Sequence, residues 1–168
     1  MLLGDEDAIK SMSEMLKSRY DCKMTAESGF GEKDQREAIM LNRIIRCVPG
    51  ETNAIEIEGD QRHAEIIFEQ LGLKNAQAVA TPRVKLKAEE VERLAELPTL
   101  SKEQTTLYRS LTMRGSYLAQ DRPDINECTK ELARHMQAPN EGDMQGLKRL
   151  GRYLKGKPRG VFRFEEQE

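Results

Sequence analysis

In the last third of this chain, apolar residues recur every three to four positions in three successive runs, and no other feature constrains the fold as tightly. Leu107, Leu111, Tyr117 and Leu118 form the first run. Ile125, Cys128, Leu132 and Met136 form the second, and Met144, Leu147, Leu150 and Leu154 the third. Apolar positions at this spacing line one side of an α-helix, and such a helix must bury that side against a neighbour. Arg122-Pro123-Asp124 reads as the turn that starts the second helix, and Ala138-Pro139-Asn140 as the break before the third. Gly156, Pro158 and Gly160 end the helical region, and Val161-Phe162-Arg163-Phe164 starts a strand that the chain end cuts short.

The first half alternates differently. Leu2-Leu3 before Gly4-Asp5 reads as a strand end running into a helix, with Asp5 as cap and Glu6 and Asp7 in the electropositive first turn. Ile9, Met12 and Leu16 predict one amphipathic helix over residues 6–18. Tyr20, Cys22 and Met24 alternate with charged residues and predict a short strand, and residues 26–35 a loop. Residues 38–48 read as β-rich, with Ile39, Leu41, Ile45 and Cys47 on one face and Arg43 interrupting it. The turn residues 49–53 and the alternation at Ile55 and Ile57 complete a hairpin. Asp60 then caps a helix carrying Ala64, Ile67, Phe68 and Leu71, which Gly72 ends.

The expected fold class is therefore α+β: a strand–helix–strand–hairpin–helix unit over residues 1–82, a Lys/Glu-rich linker over 83–104 with room for a short helix at 88–97, a three-helix region over 105–157, and the start of a further linker at 158–168. Apolar residues make up 38% of the 168 residues, with no Trp, four Phe and four Tyr, so the core should be thin. No run approaches the roughly 18–20 apolar residues of a membrane-spanning helix. The first seven residues turn acidic before a signal-peptide core could form. Cys22, Cys47 and Cys128 are too few and too scattered for a disulfide framework or a zinc site. The expectation is an intracellular chain with no membrane partner.

Few residues point to chemistry. Asp5 and Asp7 could be read as carboxylates for a two-metal site, but no third carboxylate follows at a recognisable spacing, and capping explains both. His63 and His135 lie among polar neighbours on predicted helices and read as surface residues; nothing marks Ser110 or Ser116 as a nucleophile. Cys128, on an apolar stripe, reads as a buried small hydrophobe. Gly29-Phe30-Gly31 lacks the strand-to-helix setting of a phosphate loop. No catalytic residue, metal ligand or cofactor is expected in this chain.

The strongest electrostatic feature lies at the C-terminus. From Asp143 to Arg163 there are seven cations against one acid, a local charge of +6 in a chain whose net charge is −2. At ~100° per residue, Lys148, Arg152 and Lys155 fall together beside the third apolar stripe, with Arg149 at its edge and Lys157 just beyond. Such a ridge would bind nucleic acid through phosphates, without reading sequence. A solvated charged face is the plainer alternative.

The order of several short blocks adds a resemblance. Tyr108-Arg109-Ser110-Leu111, Gly115-Ser116-Tyr117-Leu118-Ala119, Arg122-Pro123-Asp124-Ile125, Ala138-Pro139 and the stretch Leu147 to Gly156 resemble, in order and spacing, the block after the polymerase core in Ty1/copia-type retrotransposon polyproteins. Ala80-Thr81-Pro82 is similar to the Ser-Thr-Pro that closes the family's preceding module. The resemblance covers most of residues 5–157 and is specific at 108–156. Two departures stand out: the family's aromatic near Met144 is missing, and Gly151 replaces an apolar residue, which implies a diverged or decaying copy.

The resemblance implies a reverse transcriptase piece: a palm tail, a primer-grip-like hairpin at 38–58, and thumb or connection helices from residue 60. It also implies that the catalytic Asp-Asp hairpin lies just before Leu2-Leu3, that the first RNase H carboxylate lies beyond residue 168, and that Mg²⁺ belongs to the parent polymerase. The implied partners are an RNA–DNA or DNA duplex, held by its backbone, and the remainder of the Pol polyprotein. The expected function is primer–template holding by Lys148, Arg149, Arg152, Lys155 and Lys157. The alternatives are a non-enzymatic nucleic-acid-binding module and an inert structural remnant.

Overall fold

The computed structural model describes residues 5–23 and 27–167, and the expectations for Leu2, Leu3, Met24, Ala26 and the Glu6 side chain lie outside what it describes. The fold is α+β, with six helices and one four-stranded antiparallel sheet among the described residues. Helix α1 (Glu6–Arg19) begins as expected, with Asp5 Oδ1 accepting from the Ala8 amide at 2.8 Å. Residues 20–23 form no strand, so the alternation there predicts the wrong element; no neighbouring strand supplies the ladder that β-structure needs.

The β-rich segment is two strands rather than one. Strands β1 (Glu37–Met40) and β2 (Arg43–Val48) pair across Leu41 and Asn42, both at positive φ (51° and 63°), as a two-residue type I′ turn requires. This explains the interruption at Arg43, the first residue after the turn. Leucine is a poor residue for that backbone, which hid the turn from a reading that looks for Gly or Asn-Gly. Strand β3 (Ala54–Glu58) pairs with β2 across the turn at 49–53, as the sequence indicates. Strand β4 (Val161–Glu165) then adds to β3, giving the order β1-β2-β3-β4, so the C-terminal strand completes the sheet.

Helix α2 spans Arg62–Gln70 and buries Ala64 and Ile67; Asp60 accepts from the Arg62 amide at 3.1 Å. It ends in a Schellman motif, Leu73 N–H to Phe68 O and Gly72 N–H to Glu69 O, with Gly72 at φ 69°. Helix α3 (Ala88–Ala95) occupies the short helix anticipated within the charged stretch. It docks on the start of α6 (Glu141–Gly156), where Asn140 Nδ2 donates to Leu94 O at 2.9 Å. Helix α4 runs Lys102–Leu118 and α5 runs Pro123–Arg134. Reciprocal caps start two of these helices, Ser101 with Gln104 and Asn140 with Asp143.

The core is helical. Ile67, Leu111, Ile125, Leu147, Leu150 and Leu154 are fully buried in one cluster shared by α2, α4, α5 and α6. Two ion pairs tie the sheet to this bundle: Arg43 Nε to Asp121 Oδ1 at 2.7 Å, and Arg159 from the chain after α6 onto Glu58 at the end of β3.

Candidate nucleic-acid interface

The predicted ridge lies on α6, which Asn140 caps and the stripe Met144, Leu147, Leu150 and Leu154 seats in the core. Lys148 is exposed. Arg149, Arg152 and Lys155 are half-buried, and each is engaged. Arg149 NH2 donates to Thr81 Oγ1 at 3.0 Å, Arg152 Nε to Gln77 O at 2.7 Å, and Lys155 Nζ to Ala76 O at 2.6 Å. The irregular segment 74–83 therefore runs antiparallel along the basic side of α6, and the ridge is not bare. Lys157 is exposed, its ammonium 5.5 Å from the Tyr153 ring centroid. The structure thus brings all five predicted cations to one helix and its end, and three of them anchor segment 74–83.

Two glycines allow close approach to α6, Gly151 for the end of α2 and Gly156 for segment 74–83. A Cβ on Gly151 would lie 2.8 Å from Leu73 Cδ1 and 3.1 Å from Leu71 Cδ1, and one on Gly156 would lie 2.9 Å from Ala78 Cβ. Leu71 and Leu73 therefore occupy the space that a side chain at position 151 would take.

The other segments singled out in the last third of the sequence also hold the fold together. Tyr108, fully buried, donates its hydroxyl to Leu132 O at 2.7 Å, and Arg109 donates to Met136 O and Gln137 O at 2.7 and 2.8 Å. These bonds hold carbonyls at and just beyond the end of α5, where Leu132 O also accepts from the His135 amide. Gly115 lets α4 approach α5, since a Cβ there would lie 3.1 Å from Thr129 Cγ2. Arg122, 4% exposed, grips Asp124 with Nε and NH2 at 2.8 and 2.7 Å and reaches Lys157 O with NH1 at 3.0 Å. Tyr153 donates to the same carboxylate at 2.7 Å. Burial alone would raise the Asp124 pKa; the Arg122 and Tyr153 hydrogen bonds outweigh it and hold the group below its ordinary value.

The remaining candidates settle into structural places. Asp5 caps α1, and among the described residues no three His, Cys, Asp or Glu side chains are grouped to hold a metal ion. Burial pushes the Cys128 thiol up to about 11, as befits an inert core thiol. His135 is exposed and contacts Asp143 at 3.2 Å. His63 departs from its surface expectation: it is half-buried, 4.8 Å from the Tyr117 ring, with Nδ1 buried and without a hydrogen-bond partner. Glu58 was not singled out by the sequence. It is buried between Arg46 and Arg159, and the hydrogen bond from Arg159, against the opposing pull of burial and helped by Arg46, holds its pKa at about 2. The regular alternation of β3 gives no hint of this, because both cations arrive from other parts of the chain.

Comparison with known proteins bears on the block-bearing chain. It is 43% identical over 58 residues to the retrovirus-related Pol polyprotein from transposon RE1 of Arabidopsis thaliana, a match covering 34% of this chain and 4% of the relative. It is 29% identical over 103 residues to the corresponding polyprotein from transposon RE2 of the same plant, covering 61% of this chain and 7% of the relative. This chain is related to retrotransposon Pol. It spans only a small part of the length of these Pol relatives. No family model matches the chain, and no solved structure does. No helix among the described residues is long and apolar enough to cross a membrane.

Proposed function

We propose that this chain is a piece of a Ty1/copia-type reverse transcriptase from beyond the catalytic hairpin, and that it holds a primer–template duplex rather than transferring nucleotides. The observation that carries this reading is the cationic side of α6. Lys148 and Lys157 are exposed, and Arg152 and Lys155, though anchored to segment 74–83, each spend one donor there and keep others for a phosphate. Cations held in place by neutral carbonyls lose less freedom when a polyanion arrives. An RNA–DNA or DNA duplex held this way is read by its backbone, and Mg²⁺ chemistry would belong to carboxylates elsewhere in the parent polymerase. The rest of the Pol polyprotein is the natural second partner, in an intracellular setting.

The test is binding of an RNA–DNA duplex by the full chain across a salt series. Affinity should fall steeply as salt rises, and Lys148→Ala with Lys157→Ala should reduce the logarithmic slope by about 2, because each cation releases about one counterion. Affinity indifferent to salt overturns the reading. Primer extension with Mg²⁺ should give no product, and template-dependent incorporation would refute the holding role.

A scaffold role is the second reading, favoured by a specific observation. Tyr108, Arg109, Arg122, Asp124 and Arg149, all within the family blocks, make their hydrogen bonds inside this chain. A duplex-binding slope that survives every surface substitution on α6 would favour it.

A further inference from the structure

Of the six prolines, only Pro82 follows a hydroxyl residue, so Thr81-Pro82 is the sole Ser/Thr-Pro pair in this chain. Thr81 is exposed and lies outside every helix and strand, in the segment that runs along the basic side of α6. Pro82 disfavours helical backbone at Thr81 and keeps the residue extended. The Thr81 hydroxyl accepts from Arg149 NH2 at 3.0 Å, and Arg149 Nε is buried with no hydrogen-bond partner. One turn further along α6, Arg152 spends only Nε, on Gln77 O. Among the described residues, neither guanidinium is paired with a carboxylate. Glu127 and Glu131 are taken up by Arg83, two residues past Thr81, at 3.2 and 3.5 Å. Two arginines with no anion therefore lie along the segment that carries Thr81.

We propose that Thr81 is a phosphorylation site whose phosphate is captured by Arg149 and switches off duplex binding by α6. The switch rests on the duplex-holding reading above; the capture does not. In the transfer, Thr81 Oγ attacks the γ-phosphorus of a nucleoside triphosphate held by a proline-directed protein kinase. The bond from that phosphorus to the bridging oxygen breaks, the nucleoside diphosphate leaves, and the hydroxyl proton passes to the kinase's base. The added group carries about −1.5 to −2 charges and three acceptor oxygens. Its phosphorus is attached to the oxygen that Arg149 already contacts, so side-chain rotation brings the phosphoryl oxygens onto the guanidinium. A charge-assisted pair then replaces a hydrogen bond to a neutral hydroxyl. A dianion there cancels about two of the positive charges a duplex would use.

The test is phosphorylation of the full chain by a proline-directed kinase with ATP, mapped by mass spectrometry and followed by phosphorus NMR and duplex binding. Phosphate should enter at Thr81; Thr81→Val should abolish this and Thr81→Ser keep it. No incorporation, or incorporation at other positions only, overturns the proposal. The second ionisation of an unpaired phosphothreonine falls at about 6. In the folded chain the NMR midpoint should lie lower by about half a unit, and urea unfolding or Arg149→Gln should restore it. A midpoint identical in folded and unfolded chain overturns the capture. Phosphorylation should weaken RNA–DNA duplex binding about tenfold and lower the logarithmic salt slope by about 2. Duplex affinity unchanged by the phosphate overturns the switch. Salt-indifferent binding by the unmodified chain removes the duplex-holding reading and the switch with it, whereas the NMR midpoint reads the capture with no duplex present.

Discussion

Arg122→Ala separates a motif that folds from a motif that binds. The guanidinium makes a two-pronged contact with Asp124 and caps the end of α6 through Lys157 O. Its removal leaves the carboxylate with the Tyr153 hydroxyl but no cation, frees a carbonyl at the helix end and leaves a void, since the Arg122 side chain packs against Gly160. Removing one partner of a fully buried ion pair costs about 3–5 kcal/mol. The Asp124 side chain is 37% exposed, so water screens part of its unneutralised charge. The expected loss is therefore ~2–4 kcal/mol. For a chain of this size that lowers Tm by roughly 4–16 °C, at about 2–4 °C per kcal/mol. Thermal and urea unfolding followed by far-UV circular dichroism would measure it. Arg122→Ala, Asp124→Asn and the double variant form a cycle whose coupling should be about 1–3 kcal/mol. A loss below about 1 kcal/mol in the single variant would refute the reasoning, given what buried pairs cost to break. So would an intact Tm with weakened duplex binding, which would place Arg122 at a contact rather than in the fold.

Three further outcomes follow from the geometry. Glu58 has a folded pKa of about 2 against an ordinary 4.5, so its contribution to stability is complete above the ordinary value and is lost as pH falls from there toward 2. Glu58→Gln should flatten that part of an acid-unfolding curve. Gly72→Ala forces a Cβ into a backbone at φ 69° and should cost about 1 kcal/mol in urea unfolding, despite open space around the site. Arg152→Ala with Lys155→Ala releases segment 74–83 from α6, so limited proteolysis should cut within that segment several times faster while the bundle itself survives; an unchanged cleavage pattern would show that Val79 and the glycine contacts suffice to hold it.

Much of the helical half could be read directly from spacing. The three apolar stripes, the Pro123 start, the Ala138–Asn140 break and the Gly72 stop all act within a turn or two of where they stand, so local periodicity reports them. Helix α4 begins at Lys102, inside the stretch read as linker, because the Ser101–Gln104 capping box starts it before the first apolar position at Leu107. Residues 20–23 show the limit of the same reasoning, since alternation without a pairing partner makes no strand. The Leu41-Asn42 turn shows another, because the sheet imposes a backbone that the side chain at 41 disfavours.

The sequence by itself determined the amphipathic helices, their caps and the concentration of positive charge on α6, because each depends on residues close together along the chain. Tertiary structure alone decided where that charge is spent. Segment 74–83 has no periodicity of its own, and two of its acceptors are backbone carbonyls, which every residue carries and no sequence pattern marks. The same holds for β4 closing the sheet more than a hundred residues after β3, and for Arg159 reaching back to Glu58: such pairings follow from how the chain returns in space.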